Sequence, residues 1–564
     1  MKRLYITLFA LACLFLNVRS NSIFVISDIS YKKIDDKSVM VCAKDSNYSA
    51  QTFKDSTLNI PAFVNYEGKK FKVTLIGKGA FAKCCGIKRI NISNGIEEIQ
   101  YAAFEACANL EEIKIPSSVR VLGDNLLSFC VNLSSIKIDN KNRIYDSREN
   151  CNAIIRKQDK ALLYGCKNTK IPSSVEYIND FAFYGCLMES VVIPNGVKRI
   201  KHYAFCECPF LKSIHLSSTV EQIDYPSFYG CGNISQISVD KSNPIYDSRN
   251  NCNAIIDKDA EMLVLGCSST IIPSNISEIG EYAFSYSANL QSIAIPEKIT
   301  TIKESAFYRC SALKHVSLPS TLKYFDGHTH FGYCVSLDSI IIPQKVKELP
   351  NDIFMGCVSL QSVAVDSNNE IYDSRNNCNA IIRTKNNELV AGCKGSTIVD
   401  GIKYISENSF FKSGITSLHI PASVVDIDNT AFRSCELCMA ITVDKNNKYY
   451  QSGGANTIVD KENGKLILAC STSAIGRDIK SIGSYAFLNT PNVLILPSGI
   501  KEISECAFAD CNNLCSIFIP STVQRIGRFA FAGCKQLSNV IIMGTCVKID
   551  KDAFKGCPNY IKSD

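Results

Sequence analysis

A β-rich solenoid of short stacked turns is the fold class that this sequence predicts, and three observations predict it. First, a phenylalanine marker recurs at Phe81, Phe104, Phe129, Phe183, Phe205, Phe228, Phe284, Phe307, Phe331, Phe354, Phe410, Phe432, Phe487, Phe508, Phe531 and Phe554. Most steps are 21 to 25 residues, and four are 54 to 56. Second, each short step carries the same apolar skeleton, as at Ile92, Ile96, Ile99, Phe104, Cys107, Leu110, Ile113 and Ile115. Third, the composition is that of a folded chain, 46% apolar and 20% charged, with ordinary Gly and Pro. Length alone would suggest several ordinary domains for 564 residues. The repeat argues instead for one stacked array, in which each unit buries its face only against its neighbours.

The chain opens on a targeting segment. Lys2-Arg3 is a basic start, residues 4–18 are a 15-residue apolar stretch, and Val18-Arg19-Ser20 suits a signal peptidase. This predicts a secretory signal peptide over 1–20, since a membrane span needs about 20 apolar residues. A lipoprotein reading at Cys13 fits less well, because Leu14-Phe15-Leu16 would follow the lipidated cysteine. No second stretch of spanning length exists, and CPNYIKSD at the end shows neither an anchor helix nor an LPxTG-type motif. The mature chain is therefore expected outside the cytoplasm, secreted or at the cell surface, with no integral membrane span. Net charge is +7, and removing Lys2, Arg3 and Arg19 brings it nearer +4, with no concentrated basic face for nucleic acid.

Residues 21–74 lack the repeat and are expected to cap the first turn of the solenoid, which is expected over 75–564. In each repeat an L-x-x-I-x-I segment alternates in and out as a strand. A proline then stops it, as in IKIPSS and VVIPNG, because proline has no N–H for the ladder. A short V-x-x-I pair follows, and an A-F-x-x-C segment closes the turn. A period of about 20–29 residues on such a core is the signature of leucine-rich repeats.

Cysteine is the compositional outlier, at 28 residues. Thirteen close the marker segment: Cys84, Cys107, Cys130, Cys186, Cys208, Cys231, Cys310, Cys334, Cys357, Cys435, Cys511, Cys534 and Cys557. Ser287, Ser413 and Thr490 stand there in three other repeats. A position that takes Cys, Ser or Thr wants a small, weakly hydrogen-bonding side chain, so a buried ladder of free thiols is expected. The lone Cys435–Cys438 pair lacks a second pair at zinc spacing.

The four long steps hold a nested repeat at 138–166, 239–267, 365–393 and, in divergent form, 443–470. Two apolar arms around a polar centre predict a β-hairpin. Cys151 and Cys166 flank the first hairpin, as Cys252 and Cys267, and Cys378 and Cys393, flank the next two. They are placed to face each other, and an exported chain permits disulfides. The fourth copy has Ala455 in place of the first cysteine, which argues against an essential bridge. The D-x-x-N starts (Asp139/Asn142, Asp240/Asn243, Asp366/Asn369, Asp444/Asn447) suit Asx turns at a strand exit. Calcium is the alternative, but the D-x-D-x-D-G series is missing.

The unit S-I-x-I-P-S-S-V-x-x-I-x-x-x-A-F-x-x-C-x-x-L closely resembles the BspA-like (Treponema pallidum-type) leucine-rich repeats, and YDSRNNCNAII…GC resembles an insert variant of that family. The resemblance covers about 75–564, and 21–74 looks like the N-terminal antiparallel β cap that precedes such solenoids. It implies a right-handed superhelix of about sixteen 23-residue repeats with four longer insert repeats. It also implies a bacterial secreted or surface protein that binds host proteins or other cells. The fold leaves the ligand open.

No G-x-S-x-G, H-E-x-x-H, P-loop or G-x-G-x-x-G motif occurs. His328-Thr329-His330 is the one close histidine pair, in a turn one residue longer, and is expected at the surface. His215, His315 and His419 share a strand position but lie turns apart, too far for one metal. No enzyme activity, catalytic residue, cofactor or metal site is expected. The leading function is a binding module mediating protein–protein interaction or adhesion to a protein or glycan ligand on a host or microbial surface. The alternative is a structural envelope or surface-layer protein without a specific ligand. The outward strand positions are mostly small and polar, as at Ser135/Lys137 or Ser362/Ala364. They change at Val493/Ile495, Ser516/Phe518 and Asn539/Ile541. Val493, Ile495, Phe518 and Ile541 are therefore the candidate partner-binding residues, as contiguous exposed apolar side chains often mark an interaction site. Self-association at this C-terminal end is one use of such a row; cover by a loop or by the tail from Pro558 to Asp564 is the alternative.

Overall fold

The computed structural model describes residues 23–558, apart from 46–52, 54, 488–490, 492 and 545–546. The signal-peptide segment, Cys13 and Thr490 lie outside the described residues. The chain divides into two compact units. The first runs to Cys231 and includes Val239–Ile245; the second comprises Gly232–Ser238 and Tyr246 onward. Both are β-solenoids with almost no helix, about twenty turns in total.

In the first unit the L-x-x-I-x-I segments pair in parallel and in register. Thr57–Ile60, Arg89–Ile92, Glu112–Ile115 and Ser135–Ile138 form one ladder. The short pairs form a second ladder, from the end of Lys69–Ile76 through Glu98–Ile99 to Val121–Leu122. Inward side chains such as Ile90, Ile92, Ile113 and Ile115 are buried between the ladders. Ahead of them, Ile23–Ile26, Ile29–Lys33 and Ser38–Val41 pair antiparallel, as do Phe63–Tyr66 and Lys69–Ile76. Thr57–Ile60, within 21–74, already belongs to the repeat ladder.

The second unit repeats the plan. Ser339–Ile342 and Ser362–Val365 pair in parallel on one ladder, and Glu278–Ile279, Thr301–Ile302 and Tyr324–Phe325 on the other. In both units the marker phenylalanines stack turn on turn. Phe183 and Phe205 have ring centroids 4.9 Å apart, and Phe508 and Phe531 also 4.9 Å. Burial of each such ring contributes about 1.5–3 kcal/mol.

Twelve of the thirteen cysteines assigned to the turn stand three residues after a marker phenylalanine; Cys130 stands one residue after Phe129. Its marker is Leu127, buried, whose carbonyl accepts from the Cys130 N–H at 3.2 Å as the Phe104 carbonyl does from Cys107. Phe129 instead takes the place of Ala106. Both have left-handed backbone, with φ of 59° and 56°, and the Phe129 ring lies 4.6 Å from Tyr184. Phe129 is thus not a marker, because its backbone aims the ring away from the stack.

The long steps each contain a further turn. The hairpins are Ile154–Arg156 with Ala161–Tyr164, Ile255–Asp257 with Met262–Leu265, Ala380–Arg383 with Glu388–Gly392, and Thr457–Asp460 with Lys465–Ala469, all antiparallel. The second arm then joins the short-strand ladder in parallel, Leu162 opposite Ile178 and Leu389 opposite Ile405. These turns lack the marker because a small residue replaces it, Gly165, Gly266 and Gly392 in three and Ala469 in the fourth. The Gly165 N–H donates to Ala182 O at 2.8 Å, as Phe81 N–H does to Ala103 O. A Cβ on Gly165 would lie 2.0 Å from the Phe183 ring, which packs flat on the bare backbone.

Candidate functional site

The outward face of the strand ladders is the surface on which the sequence placed its candidate residues. In the first unit it is polar and internally neutralised. Asn59, Asn91, Lys114 and Lys137 occupy successive outward positions, and Asn91 Nδ2 donates to Asn59 Oδ1 at 2.8 Å. Lys137 and Lys114 reach Glu112 at 2.6 and 3.3 Å and hold its carboxyl below the usual range, chiefly through the Lys137 hydrogen bond.

In the second unit the face changes at Val493–Ile495, Ser516–Ile519 and Asn539–Ile542. The register sets Ile495 opposite Phe518 and Phe518 opposite Ile541, so the three form one row across the ladder. Ile495 is 69% exposed and Val493 53%. Phe518, in the middle of the row with neighbours about 4.8 Å away on both sides, is half-buried, and so is Ile541 at its end. Val493 lies beside Ser516 rather than within the row. Sequence reasoning missed Met543, also 69% exposed, whose N–H continues the ladder to Ile519 O at 2.9 Å. Its spacing of two from Ile541 gives it the same side of the strand, a signal present in the sequence just past the strand's end. On the other described ladders Ile341 is paired with Ala364 and Val192 with His215. The tail from Asn559 lies outside the described residues.

The cysteines form a different kind of array. Cys107 Sγ lies 3.1 Å from Phe81 O, Cys130 3.1 Å from Phe104 O, and Cys334 3.1 Å from Phe307 O. Burial pushes their thiol pKa values up, that of Cys130 to about 12. Ser413 is buried in the equivalent place, its Oγ 3.7 Å from Cys435 Sγ. The hairpin pairs are free as well: Cys151 faces Ser147 Oγ and Cys166 donates to Asn152 O.

The D-x-x-N residues serve the backbone. Asp139 Oδ1 accepts from Lys141 N–H at 2.8 Å, an Asx turn. Asn142 is 1% exposed; its Nδ2 donates to Pro116 O and Val119 O at 2.9 and 3.0 Å, while Oδ1 accepts from Ile144 and Tyr145 N–H. Asn369 and Asn447 repeat this arrangement.

His330 does not lie at the surface. It is fully buried at the place that Ala103 and Ala306 occupy before their markers, its ring edge-on to Phe325 at 5.1 Å and its Nε2 3.0 Å from Asp326 O. The extra residue of this turn gives the larger ring its room. His328 is exposed, with Nδ1 3.3 Å from Asp352.

The model of the BspA type leucine rich repeat region (6 copies) matches residues 47–156, 155–254, 262–381, 389–454 and 469–563. The chain belongs to the BspA-type leucine-rich-repeat family. No curated protein sequence matches it. Among solved structures, this BspA-type chain is similar to the pneumococcal vaccine antigen PcpA, at 16% identity over 76% of this chain and 94% of that one, TM-score 0.36. It is also similar to a leucine rich cell surface protein of Faecalibacterium prausnitzii, at 18% identity over 94% and 97%, TM-score 0.31. A leucine-rich repeat protein of Bacteroides ovatus is 21% identical over 92% and 94%, TM-score 0.25. No helix among the described residues of the BspA-type chain is long and apolar enough to cross a membrane.

Proposed function

We propose that this chain is an exported BspA-type binding protein that mediates protein–protein contact at a host or microbial surface. The observation that carries this reading is the row Ile495–Phe518–Ile541. Apolar side chains aligned across three strands, Ile495 exposed and Phe518 and Ile541 half-buried, gain free energy when their remaining surface is covered, by about 25 cal/mol per Å² removed from water. A polar face such as that of Glu112, Lys114 and Lys137 offers no comparable gain. The row's occupant is an apolar surface of a protein partner or of a second copy of this chain. Sedimentation of the mature chain, alone and with extracellular protein ligands, tests it. Replacing Phe518 and Ile541 by Ser should leave the fold intact and weaken association at least 10-fold. Unchanged association with lowered stability would assign these side chains to the core and sink the reading.

A further inference from the structure

A recess of about 590 Å³ opens on the second unit where two departures from the repeat coincide. The first is the backbone at Pro350. In earlier turns the residue after the short strand donates its N–H to the turn before, Lys303 to Ile279 O and Asp326 to Ile302 O, both at 2.9 Å. Pro350 has no N–H to give, so the Phe325 carbonyl loses that donor. The ladder narrows to a single bridge between Tyr324 and Glu348.

The second departure is the longer turn at Asp326–His330. Gly327 at φ 91° carries it outward over Glu304, and the buried His330 ring wedges beneath it against Phe325. With His330 fully buried and bonded to Asp326 O, the rim is held in place from below.

The lining of the recess is mixed. Tyr324, 37% exposed, presents an aromatic side chain beside Asp326 and Glu348, while Lys303 holds Glu278 at 2.9 Å on the same recess.

We propose that this recess is a binding cleft for a neutral saccharide, with Tyr324 as the stacking platform and Asp326 and Glu348 as acceptors for sugar hydroxyls. A sugar presents an apolar C–H face to an aromatic ring and many hydroxyls that donate and accept. Carboxylates supply acceptors and Lys303 supplies donors, which is the mixture such a ligand needs. An anionic ligand would meet the carboxylates of Glu278, Asp326 and Glu348, with the Lys303 ammonium already paired to Glu278. The proposal goes beyond the apolar row, which lies on a different ladder.

The test uses the mature chain and a panel of lactose, cellobiose, maltotriose, mannotriose and chitotriose, followed by saturation-transfer NMR and titration calorimetry. At least one sugar should bind, Tyr324→Ala should weaken that binding at least 10-fold, and Tyr324→Phe should restore it. Circular dichroism and melting of both variants show whether they fold, and Phe518→Ser should leave sugar binding unchanged. Absence of binding across the panel overturns the proposal, as does binding that Tyr324→Ala does not touch. Capture of a lysine-rich peptide in place of the sugars, abolished by Tyr324→Ala, overturns it too. Each of these results leaves the association test of Phe518 and Ile541 standing on its own.

Discussion

Cys107 Sγ lies 3.1 Å from the carbonyl oxygen of Phe81, its marker residue one turn earlier in the array. The same contact recurs from Cys310 to Phe284 and from Cys534 to Phe508, each at 3.0 Å. A small side chain at this position fills the corner of the turn and gives a weak donor to a carbonyl already at the ladder's edge. Native labelling with N-ethylmaleimide should therefore modify exposed Cys85 first and reach Cys107 and Cys130 only after unfolding. Peptide mapping checks this; labelling of Cys107 at the rate of Cys85 would contradict it.

The glycine that replaces the marker in three of the insert turns sets a steric limit. A Cβ at Gly266 would come 2.3 Å from the Phe284 ring. Gly266→Val should destabilise the protein by about 1–3 kcal/mol, measured by chemical denaturation. An unchanged midpoint would mean that the ring moves freely, against the stacking of Phe284 on Phe307 at 5.1 Å.

Asn369 fastens an insert to the turn before it by donating to Pro343 O and Val346 O at 2.9 and 3.2 Å. Asn369→Ala removes these and the two bonds to Ile371 and Tyr372 N–H, leaving backbone groups unpaired. A loss of about 2–4 kcal/mol is expected. Leaving Asn369 in place and adding a calcium chelator should not move the melting temperature. A chelator effect comparable to Asn369→Ala would restore the calcium reading of these loops.

His330 links stability to pH. Burial lowers its pKa from 6.5 to about 4, with Asp326 and Asp352 nearby acting the other way. The folded state therefore binds the proton less tightly than the unfolded chain. The stability this neutral ring carries is fully present above pH 6.5 and is lost as pH falls toward 4, by up to about 3 kcal/mol. Melting curves of the wild type and His330→Ala from pH 7 to 4 check it. The wild type should lose more than the variant; parallel curves would show that His330 becomes charged without cost.

Much of this was legible in the residues because a solenoid repeats its own environment. Every turn meets the same neighbours, so the period, the alternation of Ile113 and Ile115 with Glu112 and Lys114, and the small residue at Cys107 each report the same packing many times over. The row Ile495–Phe518–Ile541 followed from that register. What it contacts did not, since one chain does not show what covers its own surface.

By itself the sequence determined the solenoid, the family, the hairpins of the inserts and the register of the candidate row, because these depend on periodic contacts between like residues. Tertiary structure alone decided the exceptions. It put Leu127 in the stack and turned Phe129 out of it, since left-handed backbone at 129 aims the ring elsewhere. It showed that Gly165 stands for a marker, because a bare backbone is what lets the next ring lie flat. It buried His330, because one added residue widens a turn enough for an imidazole where others hold a methyl group. Each exception is a single residue fixed by its neighbours in space, as Gly165 is by Phe183 in the next turn and Phe129 by Tyr184.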